Sequence, residues 1–133
     1  MSRILVTFLV LSSLMACKKE DISNDTGVLN TITSLAAYET EIKSGVSLMF
    51  FHATWCPKCA AQRPAVEGLT KDSALSKVKI GQVDFEKVQE IVTKYDVLGF
   101  PTILIYKDNV LKHEINGQGH SQEKLANLLK ALL

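Results

Sequence analysis

Cys56 and Cys59 are separated by only two residues, and Pro57 follows the first of them. Proline suits the first position of a helix, where its missing N–H would have had no intrahelical partner. The pair therefore stands where a helix begins, and Cys56 faces the end whose free N–H groups and positive dipole favour thiolate over thiol. Thiolate is the attacking species in disulfide exchange, so a lowered pKa raises reactivity near neutral pH. Cys59, one turn further in, is placed to attack a mixed disulfide held on Cys56. Two cysteines so spaced can close a small disulfide ring and open it again. Lys58 adds positive charge beside the thiolate, but it points outward at that stage of a helix, so its effect is modest and salt-sensitive.

Two other uses of the pair stay open on spacing alone. One is half of a zinc site, but a closed site needs four ligands. No second pair exists, and His52, His113 and His120 fall in different elements, where a packing or surface role is expected, so no metal is expected. The other is a static structural disulfide, for which so short a loop gives little entropic stabilisation.

The third cysteine, Cys17, closes an N-terminal stretch of a different kind. Arg3 supplies one positive charge, Ile4 to Leu11 is apolar apart from Thr7, and small residues precede a break. That is the pattern of a secretory signal, and the run is short of the roughly 18 to 20 residues of a spanning helix. Leu14-Met15-Ala16-Cys17 resembles the bacterial lipobox, with Met15 larger than the residue usual there. The resemblance implies a signal peptide over residues 1–16 and lipidation of Cys17. Removing residues 1–16 takes away Arg3 alone, so the formal charge falls from +1 to 0 and attachment rests on lipid. Lys18 stands where an Asp would signal inner-membrane retention, which by resemblance favours the outer membrane, on its periplasmic face or at the cell surface. Residues 17–27 are then a lipidated, polar, flexible tether.

Beyond the tether there is room for one domain, residues 28–133. The chain has 133 residues, 47% hydrophobic and 22% charged, which suits a packed core and excludes global disorder. Lys and Arg number 15 against 14 Asp and Glu, which gives no electrostatic case for nucleic acid.

The apolar pattern predicts the elements that hold the cysteines. Val28 to Ile32 reads as a short edge strand, and Ser34 as the cap of a helix reaching Lys43. Val46 to Phe51 is almost continuously apolar, as a central strand covered on both faces must be. A helix starts at Cys56-Pro57 and carries Pro64 inside it, which predicts a kink. Val78 to Phe85 is the next strand, and Val88, Ile91, Val92 and Tyr95 mark a helical face. Thr102 to Tyr106 and Val110 to Ile115 form a hairpin about Asp108-Asn109. Ser121 caps a last helix with a stripe of Leu125, Leu128, Leu129 and Leu132. Such alternation predicts an α/β fold, a parallel sheet with helices on both faces and an antiparallel edge from the hairpin.

Phe50-Phe51-His52-Ala53-Thr54-Trp55-Cys56-Pro57-Lys58-Cys59 resembles the active-site strand and helix start of the thioredoxin family. Gly99-Phe100-Pro101-Thr102 is similar to that family's cis-proline loop, and Pro64 to its kinking proline. The resemblance spans residues 28 to 133 and implies a thioredoxin-like fold, a central mixed sheet with the cis-proline loop beside the active-site helix. It implies a thiol–disulfide oxidoreductase with Cys56 as exposed nucleophile and Cys59 as resolving thiol. Trp55, with Pro57 and Lys58, would shape the substrate surface, Pro101 would sit against the cysteines, and Thr102 would follow it. The backbone of Phe100 would bond an extended substrate chain, as in strand addition. No cofactor beyond the Cys56–Cys59 dithiol is implied. The expected partners are protein substrates with cysteines or disulfides, a membrane or soluble thiol electron donor, and the membrane itself through the anchor, with the domain a monomer.

The sequence also departs from the family pattern. The dipeptide between the cysteines is Pro57-Lys58 where thioredoxin has Gly-Pro. The buried Asp that normally lies six residues before the first Cys is Phe50 here, and its usual Lys companion is replaced near Ile80 or Gln82. Glu86 is a possible substitute for that Asp. In the envelope the direction of exchange leans to reductase or isomerase-like service. Two rival readings are a non-catalytic peptide-binding module using the Phe100-Pro101 groove, and a reductase for cytochrome or copper-site assembly. Such assembly factors usually carry an insertion, and none is visible in this chain.

Overall fold

The computed structural model describes residues 25–133. The expected signal segment 1–16, the acceptor Cys17 and the tether up to residue 24 lie outside the described residues. The elements are β1 Asn30–Thr31, α1 Leu35–Ile42, β2 Val46–His52, α2 Pro57–Gly68, β3 Lys79–Asp84, α3 Gln89–Lys94, β4 Thr102–Lys107, β5 Val110–Asn116 and α4 Gln122–Lys130. Two single 3₁₀ turns, Leu69–Lys71 and Ser73–Leu75, lie between α2 and β3. The order is the expected one, with the first strand reduced to two residues.

Five strands form one sheet in the order β1-β3-β2-β4-β5. β2 is central, and all seven of its residues are buried. Side chains alternate across a strand, so Leu48 and Phe50 enter one layer and Met49 and Phe51 the other. The first layer contains Cys59 and Val66 of α2 with Leu125, Ala126 and Leu129 of α4. The second contains Tyr38 and Ile42 of α1 with Ile91 and Val92 of α3. Gly81 lets β3 pass closely between its neighbours. A Cβ there would stand 3.0 Å from Met49 Sδ and 3.3 Å from the Asn30 carbonyl.

The sheet is mixed in a way that alternation alone does not predict. β1 and β2 run parallel to β3, but β4 is antiparallel to β2, and β5 to β4. The antiparallel half therefore begins one strand earlier than the hairpin. The connection through α3 stays at the end of the sheet where β3 leaves it. The chain re-enters the sheet at the end it left, with Thr102 opposite Phe51. The turn into β5 has φ of 48° at Asp108 and 67° at Asn109, the paired positive values of a two-residue hairpin loop.

Both predicted caps are made. Ser34 Oγ accepts the Ala37 N–H at 3.1 Å, and Ser121 Oγ accepts the Lys124 N–H at 3.2 Å. Leu125 has no exposed surface. Truncating it to Ala is expected to lower stability by about 2–5 kcal/mol, against about 1 kcal/mol for Ser34→Ala. Urea denaturation of the two variants beside the parent checks the contrast.

Candidate active site

β2 ends at His52, three residues turn, and α2 begins at Pro57 with Cys56 as its N-cap. Cys56 Sγ accepts the Cys59 N–H at 3.2 Å, so the sulfur itself satisfies one of the free donors of the helix start. Cys56 and Cys59 are joined as a disulfide, with Cα atoms 5.2 Å apart. On the other side, Cys56 Sγ lies 3.9 Å from the Phe100 carbonyl oxygen, and the Phe100–Pro101 peptide bond is cis. The two landmarks of the sequence are thus brought together at the C-terminal end of β2.

The surroundings correct the expectation of an exposed nucleophile. Cys56 keeps only 6% of its surface open, and Cys59 none. The order of access holds, but the mouth is narrow because the Phe100 loop closes on the sulfur. Trp55 is 65% exposed and Leu98 91%, so the loops flanking the mouth present apolar side chains to solvent. Pro57 and Lys58 are exposed on the first turn of α2. Thr102 is buried, and its hydroxyl bonds the Gly99 carbonyl at 2.7 Å and Asn116 Oδ1 at 2.9 Å. It holds the loop from inside and does not line its surface. Glu86 is exposed and accepts from Thr54 Oγ1 at 3.2 Å.

Sequence reasoning missed the polar residues behind the disulfide. Arg63, four residues after Cys59 on the inward side of α2, is 3% exposed. Its guanidinium carbon lies 5.2 Å from the Phe50 ring centroid, and Nη1 donates to Gln82 Oε1 at 2.8 Å. Glu67 Oε1 is 3.4 Å from the same nitrogen. Gln82 stands opposite Phe50 in the sheet and also donates to Thr31 Oγ1 at 2.9 Å. Residues 25–27, expected in the tether, touch this region. Thr26 contacts Glu67, and burial acts to raise the Asp25 pKa, but the Gln82 side chain, the Gly27 N–H and the Arg63 charge bring it below the usual carboxylate value. The spacing of Cys59, Arg63 and Val66 along one helical face was the available signal that Arg63 points inward. Gln62 was also missed. Its side-chain amide donates to the His120 carbonyl at 2.8 Å and accepts the His120 N–H at 3.0 Å, tying α2 to the chain before α4.

The histidines stay apart. His113 is on β5 and His120 precedes α4, whereas His52 is 1% exposed and stacks on Phe50 at 5.7 Å. Neither ring nitrogen of His52 has a hydrogen-bond partner among the described residues. No group of three or more His, Cys, Asp or Glu suited to a metal occurs among the described residues, and no helix there is long and apolar enough to cross a membrane.

A family model described as Thioredoxin matches residues 30–131. This chain belongs to the thioredoxin family. The thioredoxin of Staphylococcus aureus (strain N315) is 32% identical over 94 residues, covering 71% of this chain and 88% of that protein. Oxidised mitochondrial thioredoxin 3 of Saccharomyces cerevisiae superposes with a TM-score of 0.70 at 25% identity, covering 80% of this chain and 97% of that one. The thioredoxin of Fasciola hepatica gives 0.67 at 25% identity, covering 79% and 100%. With its close cysteine pair, this thioredoxin-family chain is a thiol–disulfide oxidoreductase that acts on protein disulfides. Thioredoxins need no cofactor beyond that redox-active pair.

His52 gives the site a pH signature. Burial, with the Arg63 and Lys87 charges, lowers its pKa, while Asp84 and Asp25 pull the other way. Below the ordinary value of about 6.5 the unfolded chain binds a proton that the folded chain resists, so stability rises with pH in that window. The contribution is complete above about pH 7 and is lost as pH falls toward the depressed folded value. His52→Phe is expected to flatten the fall in denaturation midpoint between about pH 7 and about pH 5 relative to the parent.

Proposed function

We propose that this chain is a lipid-anchored thiol–disulfide oxidoreductase of the bacterial cell envelope, with Cys56 as nucleophile and Cys59 as resolving thiol. The observation that carries the assignment of roles is Cys56 Sγ as the N-cap of α2, the more open of the two sulfurs and the one beside the Phe100 carbonyl. A helix start stabilises charge on Cys56 and not on a residue one turn in.

In the reducing direction the Cys56 thiolate attacks a substrate disulfide. That bond breaks, one substrate sulfur leaves as thiolate, and the other remains on Cys56. Cys59 loses its proton and attacks Cys56 Sγ, the second substrate thiolate departs, and the Cys56–Cys59 bond closes. Two electrons pass from the protein dithiol to the substrate, and a thiol donor of the envelope or its membrane restores the dithiol. Trp55, Pro57, Lys58, Phe100 and Pro101 border the approach, and the Phe100 backbone pairs with an extended substrate segment. Thr102 holds that loop in place.

Reductase or isomerase-like service is the direction proposed. Members of this fold span roughly −270 to −120 mV, from thioredoxin through disulfide isomerase to dedicated oxidants. The anchor is the lipid on Cys17 and the site of action the outer membrane, a reading supported by the lipobox-like Leu14-Met15-Ala16-Cys17 and by Lys18 after it.

Three measurements test the reading. Cys59→Ser is expected to accumulate mixed disulfides between Cys56 and envelope proteins, and Cys56→Ser to accumulate none. Recovery of no adduct with Cys59→Ser counts against exchange through Cys56. Equilibration with glutathione buffers is expected to give a potential well below −120 mV, and a value near that figure would reverse the direction. Cys17→Ala is expected to abolish labelling by fatty acid and release the protein from the membrane fraction.

A further inference from the structure

The chain between β5 and α4 is bonded to both walls of the mouth, and the exchange chemistry above gives it no part. β5 ends at Asn116 and Ser121 caps α4, so residues 117–120 make the connection. On one side it holds the cis-proline loop. The Gly117 N–H donates to the Pro101 carbonyl at 2.9 Å, and Asn116 Oδ1 lies 2.9 Å from the Thr102 hydroxyl that bonds Gly99. On the other side it holds α2. Gln62, three residues after Cys59 and 1% exposed, pairs with both the N–H and the carbonyl of His120, at 3.0 and 2.8 Å. Cys56 Sγ and the Phe100 carbonyl, 3.9 Å apart, stand one on each of these walls.

The connection turns through φ of 81° at Gly117 and 89° at Gly119, and glycine backbone is the freest to move. The half-buried His120 side chain braces it. Its Nε2 lies 2.9 Å from the Asn116 carbonyl oxygen, and its Nδ1 lies 3.1 Å from Lys124 Nζ. A carbonyl only accepts and an ammonium only donates, so Nε2 carries the proton and Nδ1 accepts from Lys124. The Nε2 bond closes residues 116–120 into a ring. That ring joins the end bonded to Pro101 and Thr102 to the end bonded to Gln62.

We propose that His120 is a positioning residue for disulfide exchange, its imidazole locking the β5–α4 connection so that the Phe100 carbonyl is held against Cys56 at the spacing that receives a substrate chain. His120 reaches neither sulfur. It acts through Asn116 and Gly117 on the cis-proline loop and through Gln62 on α2. The part of the proposal that concerns substrate rests on the Phe100 backbone pairing with an extended chain. The part that concerns spacing does not. With the brace cut, the loop is free to draw back from Cys56. A small reagent then reaches the sulfur more readily, while an extended chain loses an edge that stood ready for it.

The test uses the full-length chain with His120→Phe, which keeps a ring and removes the Nε2 donor. Alkylation of reduced Cys56 by iodoacetamide is followed on the peptide that carries it, at a pH above its titration. The rate is expected to rise about threefold. With a synthetic peptide disulfide as substrate, KM is expected to rise about fivefold, the weight of one ordinary hydrogen bond, while kcat stays within about twofold. His120→Gln, whose amide can donate to the same carbonyl, is expected to restore most of both values. Ser34→Ala, which weakens α1 in the other layer, is expected to leave both at the parent value and so accounts for a general loss of stability. A folded His120→Phe with an unchanged alkylation rate overturns the proposal, as does the same rise in Ser34→Ala. Should His120→Phe fail to fold, His120→Ala, which adds no bulk, decides by the same criteria. Faster alkylation with an unchanged KM supports the brace and overturns pairing at Phe100, so the two failures are told apart.

Discussion

The N–H of Cys59 points at the sulfur of Cys56 across 3.2 Å, and that bond exists only because α2 starts where β2 stops. β2 is held at the centre of the sheet by burial on both faces, which fixes the height at which the chain leaves it. Ala53, Thr54 and Trp55 then turn the chain so that a sulfur occupies the capping place usually taken by an oxygen. The short α3 completes the arrangement. It returns the chain to the same end of the sheet, which is why the Phe100 carbonyl meets the cap. Strand burial, strand direction and helix capping therefore converge on one atom.

Most of this was legible from residue types. The continuous run of Val46 to Phe51 marked the central strand, Cys56-Pro57 marked the helix start, and Asp108-Asn109 marked the hairpin. Each is a local signal, decided by side-chain burial, a missing N–H or a positive φ. The direction of β4 was less legible, because it depends on the end of the sheet at which the connection through α3 re-enters, which no local residue marks. The 6% opening at Cys56 was hidden as well, since it depends on a loop more than forty residues away. Thr102 adjoined the loop in sequence but proved to be its inner support.

The polar residues behind the disulfide were hardest to read. Arg63, Gln82 and His52 are types usually found at surfaces, and only the helical spacing of Cys59, Arg63 and Val66 marks one of them as pointing inward. Arg63 and Gln82 bond each other, and Phe50 offers a flat ring that meets the Arg63 guanidinium on one contact and the His52 imidazole on another. Phe50 stands where the family pattern has a carboxylate, and its ring lies against the buried Arg63 guanidinium. A ring offers a cation a face to rest on, as the carboxylate would have offered it an ion pair.

Trp55 and Leu98 stand almost bare beside a nearly closed sulfur. Contact with such side chains gains free energy from the water it releases, and released water carries no memory of the partner's sequence. Covering Trp55 and Leu98 therefore rewards any partner that brings apolar surface to the mouth, while the 6% opening at Cys56 leaves little room around the sulfur itself.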